Sequence, residues 1–138
     1  MSDKVEPPPQ DNVKWLASAE QHILSILRDN YGAIQLDRTE ADLLVGQRLV
    51  DDQVFDAQQL LEWQCLGVLL GNVFAAQTSM QWAAVTNNYG MLLALHDPGI
   101  AFTLYPIQMI SQRAESGRVI DIPQLFRSMV DDLNLSKR

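Results

Sequence analysis

"LGVLLGNVFAAQ", residues 66–77, is the most apolar run in the chain, and its reading decides the fold. Such a run belongs to a membrane span, a glycine-rich phosphate loop or a buried helix. A span needs about twenty apolar residues, whereas Asn72 and Gln77 interrupt this one. A phosphate loop ends in Gly-Lys-Ser/Thr, but no lysine occurs between Lys14 and Lys137. The buried helix remains, expected from about Asp56 to Ala76, with Leu60, Leu61 and Trp63 extending its apolar surface upstream. A helix apolar nearly all round has no wet side and belongs in the centre of a fold. Gly67 and Gly71, four residues apart, leave a groove on one face where a neighbour can approach closely.

The segments on either side follow different periods. Residues 1–10, with three consecutive prolines, read as a flexible or extended tail, and residues 11–135 as one domain. Asp11 or Asn12 is placed to cap a first helix, with Trp15, Leu16, Ala19, Ile23, Ile26 and Leu27 on its inner face and Gly32 at its end. Thr39 is placed to cap a second helix, with Leu43, Gly46, Val50 and Val54 sharing a face. After the central helix the pattern turns to strands: "MQWAAVTNNYG" (80–90), "MLLALH" (91–96) and "IAFTLY" (100–105). Asp97-Pro98-Gly99 is expected to form a type II turn with Gly99 at positive φ. Links this short make the strands an antiparallel meander. Pro106 and Gly117 bound a fourth helix with Ile107, Ile110 and Ala114 inside. Asp121 and Pro123 begin a fifth, whose inner stripe is Leu125, Phe126, Met129, Val130 and Leu133. The expectation is a two-layer α+β domain of three helices, three strands and two helices.

Charge narrows the function. Ten Lys and Arg against seventeen Asp and Glu give a net charge of −7, the wrong sign for gripping a phosphate backbone, so nucleic acid is not expected. A lone cysteine, Cys65, rules out an intrachain disulfide, and its apolar setting reads as an inert core thiol. The first residues lack a basic segment followed by an apolar one, so no secretory signal is expected and a cytoplasmic location follows. Two histidines without clustered carboxylates make no convincing metal site, so none is assigned. His96 and Asp97 are neighbours on a strand and point to opposite faces. No catalytic constellation assembles, and no cofactor is expected.

Two groups are candidates for binding. Asp37, Glu40, Asp42, Asp51 and Asp52, joined by Asp56, cluster around the second helix. They form either a solvated helix with acids at its N-terminus or a docking face for a basic partner. Asn87, Asn88 and Tyr89 either make the hairpin turn or present it to a partner. The expected role is therefore a non-enzymatic acidic domain that binds another protein. An immunity protein neutralising a toxin is its leading form, and a secretion chaperone or adaptor is the alternative within that class. Self-association into a homodimer is a further outcome. The rival is a small-molecule-binding or enzymatic domain with a pocket between sheet and C-terminal helices, where His96, Tyr105 and Arg113 would converge.

From Leu60 to about Leu133 the chain resembles a bacterial family known as domain of unknown function 3806. The resemblance rests on "LGVLLG", Trp82, Tyr89-Gly90, "PIQMISQR" opening at Pro106, and Gly117, Asp121 and Leu125. It implies a small bacterial α+β domain, carries no catalytic residues across, and leaves the first sixty residues outside.

Overall fold

The computed structural model describes residues 3–137. The elements run β1 (Lys4–Glu6), α1 (Gln10–Tyr31), α2 (Glu40–Asp51), α3 (Leu60–Gln77), β2 (Gln81–Asn87), β3 (Gly90–Asp97), β4 (Phe102–Leu104), α4 (Pro106–Glu115) and α5 (Ile122–Ser136). The order is α+β with five helices, but the sheet has four strands rather than three. Strand order is β1-β2-β3-β4, antiparallel throughout. The added strand comes from the supposed tail: Lys4, Val5 and Glu6 pair with Thr86, Val85 and Ala84. Alternation too short to register as a strand is stabilised there by the edge of β2, a tertiary effect.

α3 lies at the centre, buried without interruption from Cys65 to Phe74. Its glycines do what their spacing suggested. A Cβ at Gly67 would lie 2.5 Å from the Ile107 Cα, and one at Gly71 would lie 2.3 Å from Trp82 Cζ2. The start of α4 and the strand tryptophan thus seat directly on the helix backbone. Leu16, Ala19, Ile23 and Leu27 of α1 enter the same core, and Phe126 of α5 meets Phe74 edge to face with centroids 5.6 Å apart. α3 itself begins at Leu60, four residues later than the pattern suggested, and Leu60 and Leu61 are exposed at its entry.

The ends of the helices show which local signals prevailed. Pro9, not Asp11 or Asn12, precedes α1, and no side chain caps it; the Pro9 carbonyl accepts from the Asn12 and Val13 N–H groups and so starts the helix from the backbone alone. Thr39 does cap α2, its Oγ1 accepting from the Ala41 N–H at 3.3 Å. In α2 the buried apolar residues are Leu43 and Leu49, while Val50 is only half-buried. Gly117, at φ 68°, closes α4 in a Schellman arrangement, with Gly117 N–H on Ala114 O and Arg118 N–H on Arg113 O. Asp121 caps α5 by accepting from Gln124 N–H at 3.1 Å. The turn after β3 is different from the expected type II form: Gly99 keeps a negative φ, and Ala101 carries the positive one, 51°. A four-residue link between β3 and β4 places its left-handed residue last, and that position falls on alanine.

Candidate functional site

The acids of the second helix do not form one face. Asp37 and Glu40 stand at its N-terminal end and Asp51 and Asp52 at the other, roughly 18 Å apart for a twelve-residue helix. Asp42 is removed from the binding set: it is 3% exposed. Its carboxylate accepts the backbone N–H of Arg38 at 2.8 Å and of Asp37 at 3.2 Å. It thereby holds a turn in which Arg38 adopts φ 62°, a conformation L side chains rarely take. Burial raises the Asp42 carboxyl above its ordinary value, against the pull of those N–H groups. Asp37 is held below its ordinary value, chiefly by the Thr39 hydroxyl at 2.7 Å. Glu40 is exposed. Asp52 accepts from the Tyr31 hydroxyl, latching the end of α1 to the end of α2, while Arg48 stacks over the Tyr31 ring at 3.9 Å.

Asn87, Asn88 and Tyr89 occupy the tip of the β2–β3 hairpin. Asn87 Oδ1 accepts from Tyr89 N–H at 2.8 Å, an Asx turn that orders the tip. The Tyr89 ring is 98% exposed and so is held by nothing beneath it.

Asp51 meets a concavity. With Asp56 it borders a cleft of about 580 Å³ between the end of α2, the 52–59 loop and the α4–α5 link. Phe55 and Trp63 form the apolar floor, edge to face at 5.4 Å, and Trp63 Nε1 donates to the Asp56 carbonyl at 2.8 Å. Val119 stands on the rim, 86% exposed. That rim is positioned by Gln47 of α2, whose amide bonds the Ile120 carbonyl at 3.0 Å and the Ile122 N–H at 2.7 Å. Arg118 is the cation on the rim, its Nε on Ser116 Oγ at 2.9 Å. Sequence order conceals this site, since Asp51 and Val119 are separated by α3, strands β2 to β4 and α4.

A second cleft, about 390 Å³, carries a polar chain that periodicity did not reveal. Trp82 Nε1 donates to Asn72 Oδ1 at 2.9 Å, Asn72 Nδ2 donates to Glu20 Oε2 at 2.7 Å, and Arg38 pairs with Glu20 Oε1 at 3.2 Å. These groups satisfy one another, so the chain ties β2, α3, α1 and the α1–α2 link together. Asn72, the polar interruption within the apolar run, is a buried relay.

A third cleft of about 400 Å³ lies between the sheet and α4. Tyr105 and Arg113 both line it, whereas His96 stands one residue behind, its Nδ1 2.8 Å from the Thr103 hydroxyl that lines the wall. Burial is the main reason the Tyr105 hydroxyl titrates above its ordinary value. Cys65 is buried and pushed up to about 11, by burial first and then by Glu62. His22 faces Glu62 at 3.8 Å across α1 and α3. Among the described residues no helix is long and apolar enough to cross a membrane, and no three His, Cys, Asp or Glu side chains gather as a metal site would require.

Residues 42–126 match a family described as Domain of unknown function (DUF3806). The chain belongs to that family. The match begins at Asp42, so α2 lies inside the family unit, earlier than the resemblance from Leu60 implied; it ends at Phe126 in α5. No curated protein matches the chain. A crystal structure from Bacteroides thetaiotaomicron VPI-5482 is similar, with a TM-score of 0.86 over 96% of this chain at 15% identity. The likeness covers 48% of that chain, so this family member spans about half the length of its structural relative. At that identity the shared property is the fold.

Proposed function

We propose that this family member acts by binding another protein, and that the cleft bordered by Asp51 and Asp56 is where it does so. The observation that carries the reading is the coincidence of acids, an aromatic floor and an 86% exposed valine at one concavity. An interface core wants an apolar anchor in a pocket, with charge at the rim to select and orient the partner. The partner is then a protein presenting an apolar side chain flanked by Lys or Arg, drawn in by a chain of net charge −7. Binding rather than catalysis is favoured because Cys65 is buried and the two histidines face Glu62 and Thr103 rather than a shared nucleophile.

The test is capture of a stoichiometric partner from the native host by crosslinking. Wild-type protein should retain it, higher salt should weaken it, and Asp51→Lys with Val119→Glu should lose it while Tyr89→Ala does not. Loss with Tyr89→Ala alone moves the surface to the hairpin tip, and no partner under any condition removes the reading. A toxin or a secreted protein as the captured partner separates the immunity role, which we place first, from the chaperone role. Light scattering at rising concentration reads the competing outcome, self-association through the same cleft.

A further inference from the structure

The cleft between β3, β4 and α4 holds a cation without a counterpart. Arg113 is half-buried on its wall, forms no ion pair among the described residues, and is the only charged side chain lining the cleft. In a chain of net charge −7, a guanidinium that no carboxylate occupies is a local exception. Its Nη1 donates to the Met109 carbonyl of its own helix at 2.8 Å, which leaves the edge formed by Nε and Nη2 without a partner among the described residues. That edge is open to solvent, because the one side-chain nitrogen or oxygen sealed off without a partner there is Gln108 Oε1. Two parallel N–H groups on one guanidinium edge fit the two oxygens of a carboxylate. Apolar surface continues from the same place. Met109, half-buried, lies four residues before Arg113 and so on the same face of α4, and Leu92 borders the cleft from β3, 47% exposed. Tyr105, four residues earlier again, ends a row about 12 Å long.

We propose that this cleft binds a small monocarboxylic acid with an apolar body, such as a short aliphatic acid, in its ionised form. The carboxylate takes the Nε–Nη2 edge of Arg113, and the chain lies over Met109 and Leu92 toward Tyr105. One guanidinium balances one negative charge, so a dianionic phosphate would be left half-neutralised in an already acidic chain. A dicarboxylate or an amino acid would set a second charge on the apolar surface, and no other charged group lines the cleft to offset that desolvation. A volume of about 400 Å³ is within the range that small ligands occupy. The site is separate from the acidic cleft, so either assignment stands without the other.

The probe is hexanoate, titrated to about 50 mM at constant ionic strength against the isotope-labelled full chain, a range that detects millimolar affinity. Saturable NMR shifts at Leu92, Met109 and the Arg113 side chain are expected. Acetate keeps the charge without the chain and 1-hexanol keeps the chain without the charge, so each should bind about tenfold or more weakly. Arg113→Gln should stay folded, since the hydrogen bond it gives up is to its own helix, and should lose the probe. Leu92→Ser, at a half-exposed position, should fold and bind the probe about threefold or more weakly. Asp51→Lys with Val119→Glu should bind it normally. If Arg113→Gln does not fold, Leu92→Ser and the acetate comparison decide. The proposal is overturned if no saturable shift occurs, if acetate or inorganic phosphate binds as tightly as hexanoate, or if folded Arg113→Gln or Leu92→Ser binds the probe as wild type does.

Discussion

Replacing Gly67 with alanine adds one methyl group where α3 meets the backbone at the start of α4. The new Cβ would lie 2.5 Å from Ile107 Cα and 2.9 Å from the Pro106 carbonyl oxygen, where ordinary contact begins near 3.4 Å. Both neighbours are backbone, so no rotamer change relieves the overlap, and the start of α4 must retreat by about 0.9 Å. Alanine is favoured over glycine in a helix interior by about 1 kcal/mol. Overpacking typically costs about 1–3 kcal/mol, and a clash against backbone belongs at the upper end or beyond. The net expectation is a loss of about 1–2 kcal/mol. Gly46→Ala supplies the control: its Cβ would meet Leu69 Cδ2 at 2.8 Å, the far end of a flexible side chain. There the propensity gain about offsets the crowding, and stability should stay within about 0.5 kcal/mol of wild type. Urea unfolding followed by tryptophan fluorescence and circular dichroism measures both. A Gly67→Ala protein as stable as Gly46→Ala would refute the placement of α4 on the α3 backbone.

Three further outcomes follow from the structure. Asp42→Ala strips the acceptor from two backbone N–H groups and should cost about 1–3 kcal/mol, whereas Glu40→Ala on the exposed surface should change stability by less than about 0.5 kcal/mol; equal effects in urea titrations would return Asp42 to the solvated set. The Tyr31 hydroxyl is pushed up to about 12, by burial first and then by its hydrogen bond to Asp52. A raised pKa favours the protonated form in the folded state, so its contribution is full below the ordinary value of 10 and lost as pH rises through about 12. Tyrosinate absorbance should show this late titration, and Asp52→Asn should bring it part-way down. Cys65, buried and pushed up to about 11, should resist a thiol reagent at about pH 8 in the native protein and react fully once unfolded; prompt native labelling would contradict its burial.

How much was legible in advance differs between the fold and the sites. The capping roles of Thr39 and Asp121, the stop at Gly117 and the stripes of α1 and α5 are local signals, so they read directly from neighbouring residues. β1 was missed because three residues after an acidic start have no periodicity of their own; β2 supplies their partner. The burial of Asp42 and the relay role of Asn72 were missed for a related reason. A polar residue on a helix looks wet until its partner is known, and those partners, Trp82 and Glu20 in one case and the 37–38 backbone in the other, are fixed by the fold. Asp51 was picked for its charge, but Phe55, Trp63 and Val119 around it were not, because no charge or period marks them as a set.

The sequence by itself determined that residues 66–77 make a helix buried over most of its length, because an almost wholly apolar run without a phosphate loop's lysine or a bilayer's length has one place to go. It also determined that Gly67 and Gly71 share a face, since helical spacing is a property of the backbone alone. What rests on those glycines, Ile107 on one and Trp82 on the other, was decided by tertiary structure. So was the meeting of Asp51 with Val119. Local pattern encodes which face a residue presents, while clefts form between faces, and only packing chooses which faces meet.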